Sequence, residues 1–142
     1  MNTVKTILRN KPAMLWSIDP EARVMDALRL MAEKNVGALV VMEGPRLVGM
    51  ISERDYARKV ALIGKTSADT PVSAIMTSPV WSVTLQHTRE ECMALMTTKR
   101  VRHLPVTDGA QVVNLLSIGD LVKDALMEQE ETIHQLESYV TS

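Results

Sequence analysis

The segment NLLSIGD, residues 114–120, has a counterpart 65 positions earlier in GMISERD, residues 49–55. In each segment an apolar run typical of a β-strand stops at a serine, and an aspartate follows three residues later. This pattern predicts the start of a helix, because the serine can cap the first backbone N–H groups and the aspartate can complete a capping box. The same side chains could instead hold a ligand where the strand meets the helix. Both interpretations fit the two segments.

The 65-residue offset extends through most of the chain. Residues 16–55 align with residues 81–120 without a gap, and the identical pairs include both tryptophans. A further shift of three residues matches VKTIL at 4–8 with VSAIM at 72–76. Since this period is too long for a solenoid repeat, the sequence predicts two tandem copies of one small unit.

Each copy contains the pattern of a strand, a helix, two strands and a second helix. Two β-rich runs in each copy predict a hairpin, with Gly44 or Gly109 at its turn. The predicted strands cover 15–18, 38–42 and 47–51 in the first copy and 80–83, 104–108 and 112–116 in the second. The predicted buried faces of the first helices are Val24, Ala27, Leu28 and Met31, and Cys92, Met93, Leu95 and Met96. The predicted second helices cover 55–64 and 120–129.

One such unit has too little core to be stable alone, so we expect the two copies to pack together. The predicted fold class is α/β (α+β), with two tandem β-α-β-β-α repeats packed sheet to sheet as one pseudo-twofold module and with helices at both ends. The expected division is a first repeat with its N-terminal helix at 1–65, a linker at 66–71, a second repeat at 72–128 and a C-terminal helical extension at 129–142. The linker is polar and ends in proline, which is typical of a surface crossing.

Composition and charge restrict the class of protein. Of the 142 residues, 46% are hydrophobic and 23% are charged, and the net charge of −1 lacks the basic excess of a nucleic-acid binder. The one cysteine, Cys92, excludes an internal disulfide and fits a reducing compartment. No apolar stretch approaches the ~18 residues of a membrane span, and the N-terminus lacks the apolar region of a signal peptide. We therefore expect a cytoplasmic protein with neither a membrane nor a nucleic acid as partner.

The residues shared by the two copies resemble a known family. Both copies contain Ala/Cys-x-x-Leu-Met, then Val-x-x-Leu-x-Val, then Ser-x-x-Asp, and the clearest stretch is MALMTTKRVRHLPV at 93–106 followed by VVNLLSIGDLV at 112–122. This pattern resembles the cystathionine-β-synthase (CBS) domain, and the chain resembles a stand-alone CBS-domain pair from residue 4 to about residue 128. The resemblance implies a regulatory module without catalysis that binds an adenine nucleotide in clefts between the repeats and forms a homodimer. AMP is the first candidate ligand, with ADP, ATP, NAD(H) and S-adenosylmethionine as the others.

The resemblance also implies which residues contact the nucleotide. The aspartates of the two Ser-x-x-Asp motifs would bind the ribose hydroxyls, and the serines would lie near ribose or phosphate. The apolar residues before each motif would line the adenine slot, although strand alternation requires about half of them to be core residues. The candidate ligand-binding residues are Met50, Ile51, Ser52, Arg54, Asp55, Arg102, His103, Asn114, Leu116, Ser117 and Asp120.

Differences between the copies predict two unequal sites. Arg102 and His103 follow the first helix of the second copy, where the family places basic residues that contact phosphate, and the first copy has glycine and alanine there. Arg54 is the nearest cation of the first copy. Asn114 replaces the glycine that the first copy has before its motif. Its side chain could hydrogen-bond the base, or it could narrow the slot.

The histidines and the cysteine do not form a recognisable reactive site. His87, His103 and His134 lack metal-ligand spacing with one another and with Cys92. Cys92 aligns with an alanine on the predicted core face of a helix, so a core cysteine is a better interpretation than a nucleophile. We therefore expect neither a bound metal nor catalysis.

The C-terminal tail leaves a second function open. Ile133, Leu136 and Val140 have helical spacing with acidic residues between them. This stripe could pack on its own domain, or it could cover a partner or a second subunit. The alternative function is therefore a structural dimerisation or protein-interaction module whose nucleotide sites are degenerate.

Overall fold

The computed structural model of the protein describes residues 2–11 and 15–141. The first part of the chain forms α1 (Val4–Ile7), β1 (Ser17–Ile18), α2 (Val24–Lys34), β2 (Ala38–Glu43), β3 (Arg46–Ser52) and α3 (Glu53–Tyr56). The second part forms β4 (Val83–Thr84), α4 (Arg89–Lys99), β5 (His103–Asp108), β6 (Gln111–Ser117) and α5 (Ile118–Thr141). Short 3-10 turns cover Leu8–Asn10 and Val72–Ala74, and a π-helical segment, Ala57–Ala61, continues α3. The predicted α/β class with two β-α-β-β-α repeats is confirmed.

Two three-stranded sheets with the same strand order lie at the centre of the repeats. In each sheet the short first strand pairs in parallel with the second, and the second and third strands form an antiparallel hairpin. The hairpin turns use Gly44 and Gly109, whose φ angles of 61° and 62° lie in the left-handed region that glycine adopts without strain. Both hairpins predicted from the sequence are therefore confirmed.

Each hairpin buries one face against the first helix of its repeat. Leu39, Val41 and Ile51 are fully buried in a core shared with the apolar face of α2. The second repeat has an equivalent core between its hairpin and the face of α4 that carries Cys92 and Met96. The helix faces predicted from apolar spacing are thus confirmed, because the predicted residues are either buried in these cores or packed against them.

The segments that precede the two repeats are exchanged in space. Val4 of α1 lies in the core of the second repeat, and its N–H donates to the carbonyl of His87 at 2.8 Å. Val72 and Ile75 lie in the core of the first repeat, and the N–H of Val72 donates to the carbonyl of Ala22 at 2.8 Å. The expected division groups the N-terminal helix with the first repeat, because the two are adjacent in the chain. In the structure that helix packs instead into the core of the second repeat. Alignment of the copies finds the matching segments, but it does not show which core receives their apolar side chains.

The predicted linker at 66–71 also caps a helix. The carbonyls of Ser67 and Thr70 accept hydrogen bonds from the N–H groups of Met25 and Val24 at 3.0 and 2.8 Å. These are two of the donors that a helix leaves without intrahelical partners at its N-terminus. The linker therefore fixes the start of α2, with residues 66, 68 and 69 exposed and Thr70 buried.

The second helices differ from the prediction and from each other. α3 begins at Glu53, before the predicted start, and its hydrogen bonding becomes π-helical over Ala57–Ala61. α5 is one helix of 24 residues, so the predicted helix at 120–129 and the predicted tail helix are continuous. In the part of the chain that the structure describes, no helix is long and apolar enough to cross a membrane.

The first strand of each repeat is shorter than predicted. β1 begins two residues later than the predicted strand, and β4 begins at Val83, where the predicted strand ends. Each of these strands pairs with only two residues of its neighbour. So short a pairing is decided by the neighbouring strand rather than by the local sequence, which explains the shift.

Candidate ligand-binding sites

The two Ser-x-x-Asp motifs lie where β3 and β6 run into the following helices. In the first repeat the N–H of Ser52 donates to Oδ2 of Asp55 at 3.0 Å, and the N–H of Asp55 donates to Oγ of Ser52 at 3.2 Å. In the second repeat the matching bonds between Ser117 and Asp120 measure 2.8 and 3.1 Å. The capping interpretation is confirmed in both repeats. Capping also holds each carboxylate at a helix N-terminus, where the backbone dipoles favour negative charge.

Strand pairing decides which candidate residues share a face with the serines. Met50 lies on the same face of β3 as Ser52, whereas Ile51 points to the other face and is fully buried in the first core. On β6, Leu115 shares the face of the serine, whereas Leu116 is fully buried in the second core. Ile51 and Leu116 are therefore core residues. The alternation of side chains along a strand requires this of about half of the apolar candidates. Leu115 replaces Leu116 as the candidate that faces the slot.

The backbone groups just before the two motifs have different partners. In the first repeat the N–H of Met50 donates to the carbonyl of Thr77 at 3.1 Å, and the N–H of Thr77 donates to the carbonyl of Met50 at 2.8 Å. In the second repeat the N–H of Leu115 donates instead to Oδ1 of Asn114 at 2.8 Å. Asn114 is only 4% exposed and pairs with Val106, which belongs to the core. Its amide oxygen therefore caps the backbone of its own strand.

Glycine at position 49 has a packing explanation. A Cβ at Gly49 would lie 2.6 Å from Sδ of Met76 and 3.2 Å from the carbonyl oxygen of Thr77. The segment that contains Met76 and Thr77 packs against β3, and it leaves no room for a side chain there. Asn114 occupies the matching position of the second repeat, where its side chain accepts a hydrogen bond from the N–H of Leu115.

Two lysines that sequence analysis did not select bind the aspartates. Nζ of Lys11 donates to Oδ2 of Asp120 at 2.8 Å and to the carbonyl of Leu115 at 2.5 Å. Nζ of Lys59 lies 3.2 Å from Oδ1 of Asp55. The spacing of four residues on one helix was a signal for the second pair. No such signal exists for Lys11, which lies 109 residues before Asp120 and outside the gap-free alignment of the copies.

A groove lies away from these strand ends. Its volume is about 650 Å³, and it is lined by the turn of the first hairpin and by residues after the second 3-10 turn, including Arg46, Val48, Ser78 and Pro79. None of its lining residues belongs to a Ser-x-x-Asp motif. We place the candidate sites at the strand ends, because that is where a fixed carboxylate, a serine and backbone groups converge.

Comparison with known proteins identifies the repeats. The family model of the CBS domain matches residues 4–62 and again residues 72–126. The chain belongs to the CBS domain family. It is 35% identical to the mitochondrial CBS domain-containing protein CBSX3 of Arabidopsis thaliana, over 97% of this chain and 71% of that protein. It is 30% identical to the CBS domain-containing protein YhcV of Bacillus subtilis, over 91% of this chain and 89% of that protein.

Solved CBS structures have the same fold. A CBS-domain protein from Burkholderia ambifaria superposes with a TM-score of 0.87 at 46% identity, over 90% of this chain and 96% of that chain. A CBS domain pair in complex with 5′-methylthioadenosine and S-adenosyl-L-methionine has a TM-score of 0.78 at 21% identity, over 90% and 98% of the two chains. A hexameric CBS-CP12 protein from bloom-forming cyanobacteria has a TM-score of 0.77 at 27% identity, over 85% and 70%. CBS-domain pairs are regulatory modules, and the predicted family is confirmed.

The second CBS repeat has basic side chains near its motif at two positions where the first repeat has glycine and alanine. His103 pairs with Ser117 across the hairpin, and Arg102 precedes it at an exposed position. Burial lowers the pKa of His103, and the nearby charges of Lys11 and Arg102 lower it further, against an opposing effect of Asp120. Burial raises the pKa of Asp120, but hydrogen bonds from Lys11 and Ser117 outweigh it and hold that pKa below its usual value. At neutral pH this site presents a carboxylate, two cations and a neutral imidazole.

The first CBS repeat has a different charge distribution. Gly37 stands where the second repeat has Arg102, and Oε1 of Glu53 lies 3.7 Å from where a Cβ of Gly37 would be. Arg54 is exposed on the first turn of α3, and the nearby Lys59 is paired with an aspartate. An acid therefore lies near the position that is basic in the second repeat. The two strand ends therefore differ in charge at these matching positions, and the prediction of two unequal ligand sites stays a prediction.

The remaining reactive side chains form no further site in the described part of the chain. Across residues 2–11 and 15–141, no group of three or more histidine, cysteine, aspartate or glutamate side chains is placed to hold a metal ion. Burial raises the pKa of the Cys92 thiol to about 11, so the thiol is protonated at neutral pH. The expectations of no metal and no catalysis stay predictions.

Proposed function

We propose that this CBS pair is a sensor without catalysis of its own, which binds an adenine nucleotide at the Ser-x-x-Asp end of its second repeat, in the cleft between the repeats. The observation that carries the proposal is Asp120, which is partly buried, ionised and held in place by Ser117 at a helix N-terminus. A carboxylate fixed in this way can accept hydrogen bonds from both hydroxyls of a ribose. The CBS pair solved with 5′-methylthioadenosine and S-adenosyl-L-methionine supports the proposal, because it has the same fold.

The charges around Asp120 favour a phosphorylated ligand. Lys11 and Arg102 supply positive charge for a phosphate, and Arg102 can bind two phosphate oxygens through its guanidinium group. The neutral ring of His103 can donate one further hydrogen bond. AMP is therefore our first candidate, and ADP, ATP and NAD(H) share its adenosine and phosphate. S-adenosylmethionine carries a sulfonium cation instead and should bind this site more weakly.

Nucleotide binding at this site would disturb Lys11. Its ammonium group already bonds to Asp120 and to the carbonyl of Leu115, so a ribose has to share these groups or displace the lysine. The segment that carries Lys11 is anchored in the second core by Val4. We propose that the rearranged N-terminal segment is the signal that a partner protein recognises, with the nucleotide shifting the equilibrium toward the rearranged state. The expected form is a cytoplasmic homodimer.

Isothermal titration calorimetry of the full chain tests the proposal with AMP, ATP, NADH and S-adenosylmethionine. We expect AMP to bind with one dominant site per chain. Asp120→Asn should weaken AMP binding by about tenfold or more, because hydrogen bonds to charged groups contribute ~1.5–3 kcal/mol. Asp55→Asn, the matched change in the first repeat, should weaken it less than threefold, on the order of 0.6 kcal/mol. Absence of binding by all four compounds at millimolar concentration would overturn the proposal.

A second candidate function is a structural dimerisation or protein-interaction module with degenerate nucleotide sites. Lys11 and Asn114 favour it, because they already satisfy the carboxylate and backbone groups that a nucleotide would use. This function predicts that none of the four compounds raises the melting temperature of the chain, while its self-association persists. A thermal-shift series alongside sedimentation separates the two functions.

A further inference from the structure

An apolar stripe on α5 lies on a side of the helix that the other described residues leave exposed. The packed side of α5 is marked by Leu121, which is fully buried, and by Asp124 and Glu128, which both bind Arg89 of α4. The apolar residues of the stripe are between 46% and 86% exposed, and they are Val122, Leu126, Ile133, Leu136 and Val140. At 3.6 residues per turn, the centre of the stripe lies roughly 130° around the helix from the packed side. The stripe is therefore separate from the surface that attaches α5 to the second repeat.

The spacing of this stripe is that of a coiled coil. With Gln129 included, its positions are separated by alternating steps of four and three residues, in the order Val122, Leu126, Gln129, Ile133, Leu136 and Val140. Such alternation defines the a and d positions of a heptad repeat, with Gln129 at d. Every residue from 129 to 140 is exposed. A helical segment of this length is marginally stable in water unless one face is packed.

We infer that the stripe is the seam of a parallel two-stranded coiled coil formed with a second copy of this chain, in register at Gln129. In that arrangement each Gln129 faces its own counterpart, and the two amides can hydrogen-bond to each other across the seam. An antiparallel pair would instead place Gln129 against Ile133 and leave the buried amide without a partner. A single polar residue in a seam is known to fix register in this way.

The charges beside the seam agree with a parallel pair of identical helices. The e positions beside the seam carry Lys123, Glu130 and Glu137, and the g positions that would face them carry Ile118, Ala125 and Thr132, which are uncharged. No like charges are therefore opposed across these positions. An antiparallel pair would bring Glu130 next to its own counterpart, which is unfavourable.

The inference goes beyond the proposed homodimer, because it specifies the surface, the orientation and the register. Ile133→Asp in the full chain tests the surface. We expect it to raise the dimer dissociation constant by about 100-fold or more in sedimentation equilibrium, since it places two charges in the seam. Gln135→Asp adds the same charge about 140° around the helix from the seam centre, and it should leave the constant within threefold. A dimer that survives Ile133→Asp overturns the inference but leaves a homodimer formed through the CBS repeats intact, and a wild-type chain that is monomeric overturns both.

Disulfide cross-linking tests the orientation and register. Cys92 is buried, so an introduced cysteine is the accessible thiol. Gln129→Cys should give a disulfide-linked dimer on mild oxidation, because the two thiols face each other in the parallel register. Glu131→Cys, two residues away on the outer side of the helix, should stay monomeric in non-reducing gels. If Gln129→Cys does not cross-link although the protein dimerises, the parallel register is wrong. If the stripe instead binds a helix of a different protein, Ile133→Asp will leave the sedimentation of the pure chain unchanged, and the inference is wrong.

Discussion

The two strand ends of this CBS pair hold the same motif with different groups. In the first repeat a backbone segment at Thr77 pairs with β3, and Lys59 of the same repeat binds the aspartate. In the second repeat two side chains, Asn114 and Lys11, take over those bonds. A backbone segment anchored in the core can leave only if the core opens, whereas a lysine side chain can rotate away. A ligand at the second strand end could therefore displace the side chain of Lys11 without opening a core, whereas one at the first strand end would have to displace a core-anchored segment.

Ile75→Ala should have the largest effect on stability among the changes that distinguish the two repeats. Ile75 anchors the segment that pairs with β3, and it is buried in the first core. Removing its side chain should lower the free energy of unfolding by about 2–5 kcal/mol. Amide hydrogen exchange should show a larger loss of protection in β2 and β3 than in β5 and β6, although Ile75 follows the linker in the chain. Val4→Ala is the matched change, with its larger loss expected in β5 and β6. The reverse pattern would contradict the exchanged packing.

Exchanging Gly49 and Asn114, which lie three positions before the serines of the two motifs, should have the next largest effect on stability. Gly49→Asn should destabilise the protein by ~1–3 kcal/mol, because the new Cβ would overlap Met76 and the backbone of Thr77. Asn114→Gly should lower stability by about 1 kcal/mol, since it removes the acceptor for the N–H of Leu115. Chemical denaturation monitored by circular dichroism measures both. Equal tolerance of the two changes would show that the strand ends are not distinguished by these contacts.

Lys11→Met should shift acid unfolding to higher pH. The pKa of Asp120 is held low in the folded state, partly by Lys11. Its contribution to stability is therefore present above the ordinary aspartate pKa of ~3.9 and is lost as the pH falls through the lower folded value. Without Lys11 that loss should begin at higher pH, and stability at neutral pH should fall by about 0.5–1.5 kcal/mol. Lys59→Met, which removes the more exposed lysine paired with the other aspartate, is the control for the loss of a charged side chain. An unmoved acid transition in Lys11→Met would refute the role of this lysine.

The smallest expected effect concerns His103. Its folded pKa is lowered, mainly by burial, so the unfolded chain binds a proton below the ordinary histidine pKa of ~6.5 while the folded chain does not. Stability should therefore decrease as the pH falls below that value, and His103→Gln should reduce this slope by a few tenths of a kcal/mol per pH unit, within the limit set by one proton. An NMR titration of the His103 ring checks the direction, and a pKa above 6.5 would contradict it.

The features that occur in both repeats could be predicted from the sequence, whereas the contacts between distant segments of the chain could not. The hairpin turns at Gly44 and Gly109 and the two capped aspartates could be predicted, because each depends on residues close together in the chain and occurs twice. The contact of Lys11 with Asp120 spans 109 residues and leaves no periodic pattern. The alternation of side chains along a strand required some of the candidate residues to be core residues. Only the strand register showed that Leu116 faces the core and Leu115 the opposite side.

One missed feature did have a signal in the sequence. No glycine or proline occurs after Gly119, which favours an unbroken helix through the tail. The continuity of α5 could therefore have been predicted, and the heptad spacing that crosses residue 129 would then have been recognised as one stripe.

The exchange of the leading segments bears on how the chain acquires its structure during synthesis. The first core requires Val72 and Ile75, so the first repeat cannot close until the ribosome has released the linker and the residues after it. The second core requires Val4, which is made before the strands of both repeats and has to wait for the last of them. Cutting the chain within the linker would leave each fragment carrying the piece that completes the other. Two such fragments should regain structure when mixed, and each should fold poorly alone.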